Sequence, residues 1–137
     1  MEWTIRPYVA YREAEILALY ESVGWTNYTS DPEMLRAAFR GSWCTLGAYR
    51  GDRLVGILRA VGDGASVVFV QDLLVAPDCQ RQGIGTRLLQ TLMERCSGVY
   101  QLELLTDDTP GNVSFYRAAG LVPADTLGCR AMIRTRG

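Results

Sequence analysis

The chain contains neither histidine nor lysine, and both absences narrow its chemistry. Histidine titrates near neutral pH and is the commonest metal ligand, so acid–base work falls to carboxylates, tyrosine, cysteine or water, and we expect no metal. All 14 basic residues are arginine and the net charge is −1. This balance produces no large positive field, so we expect no nucleic-acid partner.

Cysteines and long apolar runs are also scarce. The four cysteines, Cys44, Cys79, Cys96 and Cys129, are widely spaced and form no CxxC pair, which argues against a zinc site or a disulfide framework. We interpret them as small buried residues, except that Cys79 is expected in an exposed, oxidation-prone turn. No apolar run approaches the ~20 residues of a membrane span, and the N-terminus lacks the apolar stretch of a signal peptide. We therefore expect a cytoplasmic protein without a membrane partner.

A length of 137 residues suits one domain, which we place at residues 1–137. Apolar spacing with helix-ending signals predicts four helices, Arg12–Val23, Pro32–Phe39, Gly83–Cys96 and Pro110–Ala119. Alternating or continuous apolar runs predict seven strands, at Trp3–Tyr8, Cys44–Tyr49, Leu54–Val61, Ser66–Val75 and Tyr100–Leu105, and around Leu121–Pro123 and Cys129–Arg134. The order β-α-α-β-β-β-α-β-α-β-β indicates an α/β fold with a mixed sheet. The strands on either side of the third helix should be parallel.

The segment QRQGIG, Gln80–Gly85, separates a buried strand from a helix. The free amides and the dipole at a helix N-terminus favour an anion. Gly83 and Gly85 would let a bulky anion approach the backbone, and Arg81 adds a charged donor. If the two glycines are considered alone, a tight turn in which they permit close packing explains them as well as an anion site does. The segment lacks the GKS/T of a phosphate loop and the third glycine of the dinucleotide motif, which disfavours a nucleotide-binding domain.

The wider context of these glycines resembles a known family. Gln80-x-x-Gly83-x-Gly85, between VAP and TRLLQTLM, is similar to motif A of the Gcn5-related N-acetyltransferases (GNAT family). Phe115, Tyr116, Gly120 and Leu121 resemble the family's later FYxxxGF motif, with leucine in the last place. The segments YESVGW, LVGILRAVGDG and GCRAMIR are similar to plant serotonin-type arylalkylamine acetyltransferases.

The resemblance implies a single GNAT domain whose parallel strands splay apart at a site for acetyl-CoA. The amides from Gln82 to Thr86 would bind the pyrophosphate, and an amide near Leu73 or Leu74 would polarise the thioester carbonyl. Tyr116 would protonate the departing thiolate as a general acid. The residues implied for the cofactor are Leu73, Leu74, Val75, Gln80, Arg81, Gln82, Gly83, Ile84, Gly85 and Thr86.

The group that takes the amine proton is left open. Asp72 interrupts the apolar run VVFVQDLLV and is a candidate base, but a partner for Arg59 or a polar residue at a strand bulge explains it equally well. Asp107 and an ordered water are the other candidates. Trp25 and Tyr28 lie where the fold usually closes over the acceptor, so we expect them to line an amine pocket, with core packing of Trp25 as the alternative.

These features predict an acetyl-CoA-dependent N-acetyltransferase that acts on a primary amine by direct attack in a ternary complex. The alternative is a catalytically silent acyl-CoA sensor or regulatory module, which would share every feature except the need for Tyr116. Dimerisation is common in the family, so a homodimer is a further expectation. A net charge near zero leaves the acceptor amine unidentified.

Overall fold

The computed structural model describes residues 2–136, which divide into two compact units, residues 2–105 and 106–136. The first unit contains five strands, β1 Thr4–Pro7, β2 Cys44–Arg50, β3 Arg53–Gly62, β4 Val67–Val75 and β5 Gln101–Leu104. Its helices are α1 Glu13–Ser22, α2 Thr26–Thr29, α3 Pro32–Arg40 and α4 Ile84–Arg95, with a 3₁₀ turn at Pro77–Cys79. The second unit contains α5 Pro110–Ala118 and a 3₁₀ helix, Ala124–Leu127. The single domain expected from the length stays a prediction.

The strands form one sheet in the order β1-β2-β3-β4-β5. Neighbours are antiparallel from β1 to β4, whereas β4 and β5 are parallel because α4 connects them. The predicted α/β class with a mixed sheet is confirmed, and the elements predicted from β1 to α5 end within one residue of the observed ones. Asp31 caps α3, since its Oδ1 accepts the Met34 amide at 3.2 Å.

Helices cover both faces of the sheet. On one face α1 and α3 bury Ile16, Tyr20 and Leu35 in a cluster with side chains of β2, β3 and β4. On the other face α4 buries Ile84, Leu88, Leu89 and Leu92. Gly56 of β3 faces α4, where a Cβ would lie 3.3 Å from Ile84 Cγ2, so this small residue permits close packing. The core therefore consists of two apolar layers separated by the sheet.

A β-bulge interrupts β4 at Gln71. Ala60 of β3 lies opposite Val70, but the next residue, Arg59, lies opposite Asp72, so Gln71 is an extra residue on β4. Directly opposite residues share a face of the sheet. The bulge therefore leaves Val70 on the α4 face and turns Asp72 toward α1.

Arg59 and Asp72 form a buried ion pair on the α1 face. Arg59 Nε donates to Asp72 Oδ2 at 2.7 Å, and the two residues are only 4% and 2% exposed. Arg59 Nη1 also donates to Ser42 Oγ at 3.2 Å and to the Ala38 carbonyl at 3.4 Å. Burial opposes the charge, yet the attraction of Asp72 raises the pKa of Arg59. Both structural explanations of Asp72, a partner for Arg59 and a residue at a bulge, describe its observed position.

The C-terminal segment differs from the prediction. No strand forms within residues 121–136; Leu121–Pro123 and Cys129–Arg134 are irregular, with the 3₁₀ helix between them. The Cys129 amide turns back to the Ala124 carbonyl at 3.0 Å, and Met132 and Ile133 remain 86% and 74% exposed. An alternating apolar pattern becomes a strand only where a neighbouring strand pairs with it, and these residues pair with none among those described.

The loop after α1, where no element was predicted, contains the short helix α2. The prediction that Cys79 is exposed is wrong, because the 3₁₀ turn folds this side chain fully into the interior, and Cys129 is the exposed cysteine instead. Among residues 2–136, the helices are all too short or too polar to span a membrane.

Asp63 organises the turn between β3 and β4. Its Oδ1 accepts the amides of Ala65, Ser66 and Val67 at 2.8, 2.8 and 3.1 Å, and its Oδ2 accepts the Ser66 hydroxyl. The Ser66 hydroxyl and these amides lower the pKa of Asp63 well below its usual value. The ionised carboxylate therefore stabilises the folded turn.

We predict that this turn makes stability depend on acid. Because the folded pKa is depressed, the contribution of Asp63 is present above the unfolded pKa of about 3.9 and is lost as the pH falls below it. The difference in unfolding free energy between wild type and Asp63→Asn should be constant above about pH 5 and shrink below about pH 4. Urea unfolding at a series of pH values measures it, and parallel curves down to pH 2 would contradict the prediction.

We also predict a strong coupling within the ion pair. Arg59→Met leaves the Asp72 carboxylate buried without its counter-charge and should lower the unfolding free energy by about 3–5 kcal/mol. Adding Asp72→Leu removes the stranded charge, so the double variant should be more stable than the sum of the two single losses. Urea unfolding of the four proteins tests this, and additive losses would contradict it.

Candidate functional site

The two parallel strands separate partway along β4. Pairing between β4 and β5 runs from Val67 opposite Gln101 to Val70 opposite Leu104. Beyond Val70, β4 continues to Val75 with β3 as its recorded partner within residues 2–136. Backbone amides and carbonyls of residues 71–75 that point toward the β5 side are therefore available to an extended ligand.

The turn after β4 contains two left-handed residues. Gly83 has φ +86°, and Arg81 has φ +63°, the one positive φ of a residue other than glycine within residues 2–136. A Cβ on Gly83 would have one neighbour within 4 Å, Trp3 Cζ2 at 3.9 Å, so the space above this turn is open. Gln80 Nε2 donates to the Val75 carbonyl at 3.0 Å and ties the turn to the end of the strand.

Helix α4 begins directly after this turn with Gly83 as its N-cap. The Arg87 amide donates to the Gly83 carbonyl at 3.0 Å. Glycine has no side chain to cap the helix, so the N–H groups of Ile84, Gly85 and Thr86 are available to donate hydrogen bonds to a ligand. With the helix dipole, they make a site suited to an anion.

The structure brings the predicted cofactor residues to one end of the sheet. The strand residues lie on the part of β4 that no longer pairs with β5, and the turn residues follow at the N-terminus of α4. Leu74 and Ile84 are 4% and 2% exposed, so they can offer only backbone groups. The full set is Leu73, Leu74, Val75, Gln80, Arg81, Gln82, Gly83, Ile84, Gly85 and Thr86.

An ion pair fixes the start of the same turn. Arg53 donates to both carboxylate oxygens of Asp78, at 2.7 and 2.9 Å. These hydrogen bonds lower the pKa of Asp78 to about 2. The pair ties the turn to the beginning of β3 and compensates a negative charge that would otherwise repel an anion near α4.

Two tyrosines complete the hydrogen bonding of Asp72. The Tyr20 hydroxyl donates to Oδ2 and the Tyr28 hydroxyl donates to Oδ1, each at 2.9 Å. Burial and the nearby carboxylate raise the pKa of both phenols. We call Tyr20, Tyr28, Arg59 and Asp72 the Asp72 network; both carboxylate oxygens accept at least one hydrogen bond within it.

The outer end of this network is aromatic. Trp25 is half-buried and packs against Tyr20 and Tyr28, with ring centroids 5.9 and 6.3 Å apart. Tyr28 is also half-buried, and its oxygen accepts Gln71 Nε2 at 3.3 Å. Trp25 thus has the core contacts of the alternative interpretation, whereas Tyr28 reaches the bulge where β4 leaves β5. Asn27 between them is exposed.

Tyr116 belongs to the second unit and lies on α5. Thr109 caps the N-terminus of this helix, since its hydroxyl accepts the Asn112 amide at 3.2 Å. The ring of Tyr116 contacts Phe115 edge to face at 5.0 Å, and burial raises the pKa of its phenol. This phenol therefore carries its proton at neutral pH, as a proton donor must. Asp107, the other carboxylate considered as a base, is exposed in the segment before α5.

Two further parts of the surface carry less chemical information. A cavity of about 760 Å³ lies beside α1, with Arg6, Arg12 and Arg53 but also Glu15 and Asp52 in its walls, so it favours neither sign of charge. Within residues 2–136, groups of three or more cysteine or acidic side chains that could hold a metal ion are absent.

Sequence reasoning missed two members of the site. Tyr20 lies within the apolar spacing that predicts the first helix, and nothing in the local sequence distinguishes Gln71. Tyr20 and Tyr28 lie 52 and 44 residues from Asp72 in the chain, so no local spacing signals their contacts. A carboxylate inside a continuous apolar run was the one available signal that a buried network surrounds it.

Comparison with known proteins identifies relatives with a named activity. An uncharacterized N-acetyltransferase ycf52-like protein of Prochlorococcus marinus is 28% identical over 112 residues, or 77% of this chain and 60% of that protein. Serotonin N-acetyltransferase 2, chloroplastic, of Oryza sativa subsp. japonica is 34% identical over 87 residues, or 61% of this chain and 42% of that protein. The chain thus spans less than two thirds of either relative. The second match confirms the resemblance to plant serotonin-type enzymes.

Solved structures give the same result for the fold. A GNAT family acetyltransferase from Streptococcus pneumoniae TIGR4 has a TM-score of 0.89 and 41% identity, covering 98% of both chains. An aminoglycoside 6′-N-acetyltransferase complexed with coenzyme A shares the fold at a TM-score of 0.60 and 20% identity, covering 69% of this chain and 55% of that one. The model of the acetyltransferase (GNAT) family matches residues 6–121. The chain therefore belongs to the acetyltransferase (GNAT) family.

Proposed function

We propose that this protein transfers the acetyl group of acetyl-CoA to a primary amine by direct attack in a ternary complex. The observation that carries the proposal is that two backbone sites are continuous. One is the part of β4 that no longer pairs with β5, and the other is the N-terminus of α4, which has no side-chain cap. The first suits an amide-containing arm and the second suits a phosphate, and coenzyme A contains both. The GNAT structure complexed with coenzyme A supports the same donor.

The cofactor would lie along this continuous surface. The amides from Gln82 to Thr86 bind the pyrophosphate, with Arg81 as a charged donor at the turn. The pantetheine arm pairs with the backbone of Leu73–Val75 on the side that faces away from β3. The amide of Leu73 or Leu74 then donates to the thioester carbonyl and stabilises the oxyanion that forms during attack.

The reaction consists of one displacement at the thioester carbon. The amine nitrogen attacks this carbon, and the carbonyl π electrons move to oxygen. When the oxyanion collapses, the carbon–sulfur bond breaks and the CoA thiolate takes a proton from Tyr116, which recovers one from solvent. The nitrogen releases one proton, so an amide and a thiol result. The phenol of Tyr116, whose pKa is raised by burial, holds the proton that this step requires at neutral pH.

Three groups remain candidates for the amine proton. Asp72 is close to the separation of the strands, but its oxygens already accept bonds from Arg59 and two tyrosines. Asp107 is exposed, and water is the third candidate. Trp25 and Tyr28, whose rings contact each other, form one wall of the proposed pocket for the acceptor amine. The homodimer and the cytoplasmic location expected from the sequence stay predictions.

The cofactor site is tested by enlarging Gly83. Its left-handed conformation strains any other residue, and the side chain of Gly83→Trp would enter the open space where the phosphates bind. Losing one or two hydrogen bonds to a charged group should weaken CoA binding by about 10-fold or more. Gly98 is exposed with open space around it, so Gly98→Trp is the matched control. Calorimetry with CoA measures both, after circular dichroism has shown both variants folded; equal affinities would place the cofactor elsewhere.

The acid is tested by Tyr116→Phe, which removes one hydroxyl. We expect kcat to fall by roughly 10²–10⁴-fold, while the Kd for acetyl-CoA stays unchanged. Tyr100 is 83% exposed, and Tyr100→Phe serves as the control. CoA release is followed with serotonin, spermidine and a peptide with a free N-terminus. An unchanged kcat in Tyr116→Phe contradicts the role of the acid. Binding of acetyl-CoA without acetylation of any amine would favour the sensor over the enzyme.

A further inference from the structure

The extra residue of the β4 bulge lies at a chemically informative place. Gln71 is exposed and immediately follows Val70, the last residue of β4 that pairs with β5. Its amide nitrogen lies 3.3 Å from the Tyr28 oxygen, a long hydrogen bond that another donor could replace. If the thioester lies along residues 73–75 as proposed above, this nitrogen is close to where an attacking nitrogen must be. The inference that follows rests on that proposed function.

The proton of Tyr28 has a defined direction. A phenol hydroxyl has one hydrogen, and Tyr28 donates it in a hydrogen bond to Asp72 Oδ1 at 2.9 Å. An ionised carboxylate can only accept, and the Arg59 guanidinium and the Tyr20 hydroxyl hold Asp72 in place as such an acceptor. The lone pairs of the Tyr28 oxygen that face Gln71 can therefore only accept a hydrogen bond.

This direction matches what an attacking amine needs. A nitrogen that attacks a carbonyl carbon must keep its lone pair free and can anchor itself only through its N–H bonds. A hydrogen-bond donor at this point would occupy the lone pair and block attack, whereas an acceptor leaves it free. The acceptor also favours the positive charge that develops on nitrogen as the bond forms.

We propose that the amino group of the acceptor donates an N–H bond to the Tyr28 oxygen in place of Gln71 Nε2, and that Asp72 is a positioning residue that fixes the direction of the Tyr28 proton. The ligand class is an uncharged primary amine. Tyr28 takes no proton from it, and the proton released on amide formation leaves to water. Asp72 keeps its ion pair with Arg59 throughout.

Two tyrosine variants separate binding from structure. Tyr8 and Tyr28 each donate one hydrogen bond to a carboxylate, Tyr8 to Glu15 at 2.8 Å and Tyr28 to Asp72 at 2.9 Å, but Tyr8 lies outside the Asp72 network. Tyr28→Phe and Tyr8→Phe should therefore both lower the urea midpoint. We expect only Tyr28→Phe to lower kcat/KM for the amine, by about 10- to 100-fold, with an unchanged KM for acetyl-CoA.

The probes are serotonin, spermidine and a peptide with a free N-terminus, and the variants are compared on those that wild type acetylates. Equal kcat/KM values for Tyr28→Phe and Tyr8→Phe overturn the inference and leave the acetyltransferase proposal intact. No turnover of any probe by the wild-type protein contradicts the acetyltransferase proposal itself, and the inference with it.

Gln71→Ala tests the replacement of Gln71 by the amine. Because the variant removes a competing donor, the KM for the amine should fall by about 2- to 10-fold. If Gln71→Ala instead lowers kcat/KM as much as Tyr28→Phe does, Gln71 itself binds the amine and the proposal is wrong.

Asp72→Asn distinguishes positioning from proton transfer. A positioning residue acts through Tyr28, so the double variant Tyr28→Phe/Asp72→Asn should have the kcat/KM of Tyr28→Phe within about 3-fold. The decrease of kcat/KM at low pH should also remain in the single variant Asp72→Asn, provided that this variant folds. Loss of that decrease, or additive losses in the double variant, would identify Asp72 as the base and overturn the proposal. If Asp72→Asn does not fold, the two tyrosine variants decide.

Discussion

The ion pair between Arg59 and Asp72 holds together the elements around the candidate acceptor site. It joins β3 to β4 directly, and its hydrogen bonds reach α1 through Tyr20, α2 through Tyr28 and the end of α3 through the Ala38 carbonyl. Removal of one partner from a charge pair buried this deeply strands the other charge. The elements that meet at the pair therefore depend on it together.

The proposed donor and acceptor halves of the site use different parts of the chain. The proposed cofactor site consists mainly of backbone groups, on the part of β4 beyond its pairing with β5 and at the N-terminus of α4. Such a site requires a conformation, and glycine at position 83 supplies it with few demands on neighbouring side chains. The proposed acceptor half depends on the identities of particular side chains, above all Tyr28 and Asp72. A conformation that glycine supplies is readable from a short motif, whereas contacts between distant side chains are not.

The same difference decides how much the sequence could predict. Helix periodicity, the Asp31 cap and the Gly83 turn are local signals, so the element order and bounds up to α5 followed from them. The contacts of Asp72 join residues up to 52 positions apart, and no local pattern contains them. The two C-terminal strands were predicted wrongly because alternation reports an apolar face but not whether a strand pairs with it. Cys79 was misplaced because a turn can still direct one side chain inward.

The bulge at Gln71 makes the pairing of β4 part of the chemistry of the site. In an unbroken ladder Gln71 would lie opposite Arg59 and Asp72 opposite Leu58, so Asp72 would face the leucines of α4. The bulge keeps Gln71 out of the ladder, and the carboxylate thereby meets its arginine on the α1 face. Deletion of Gln71 would leave Asp72 opposite Arg59 but would remove the amide group that reaches Tyr28. The insertion thus adds a polar group where β4 leaves β5 without moving a charge into the apolar layer under α4.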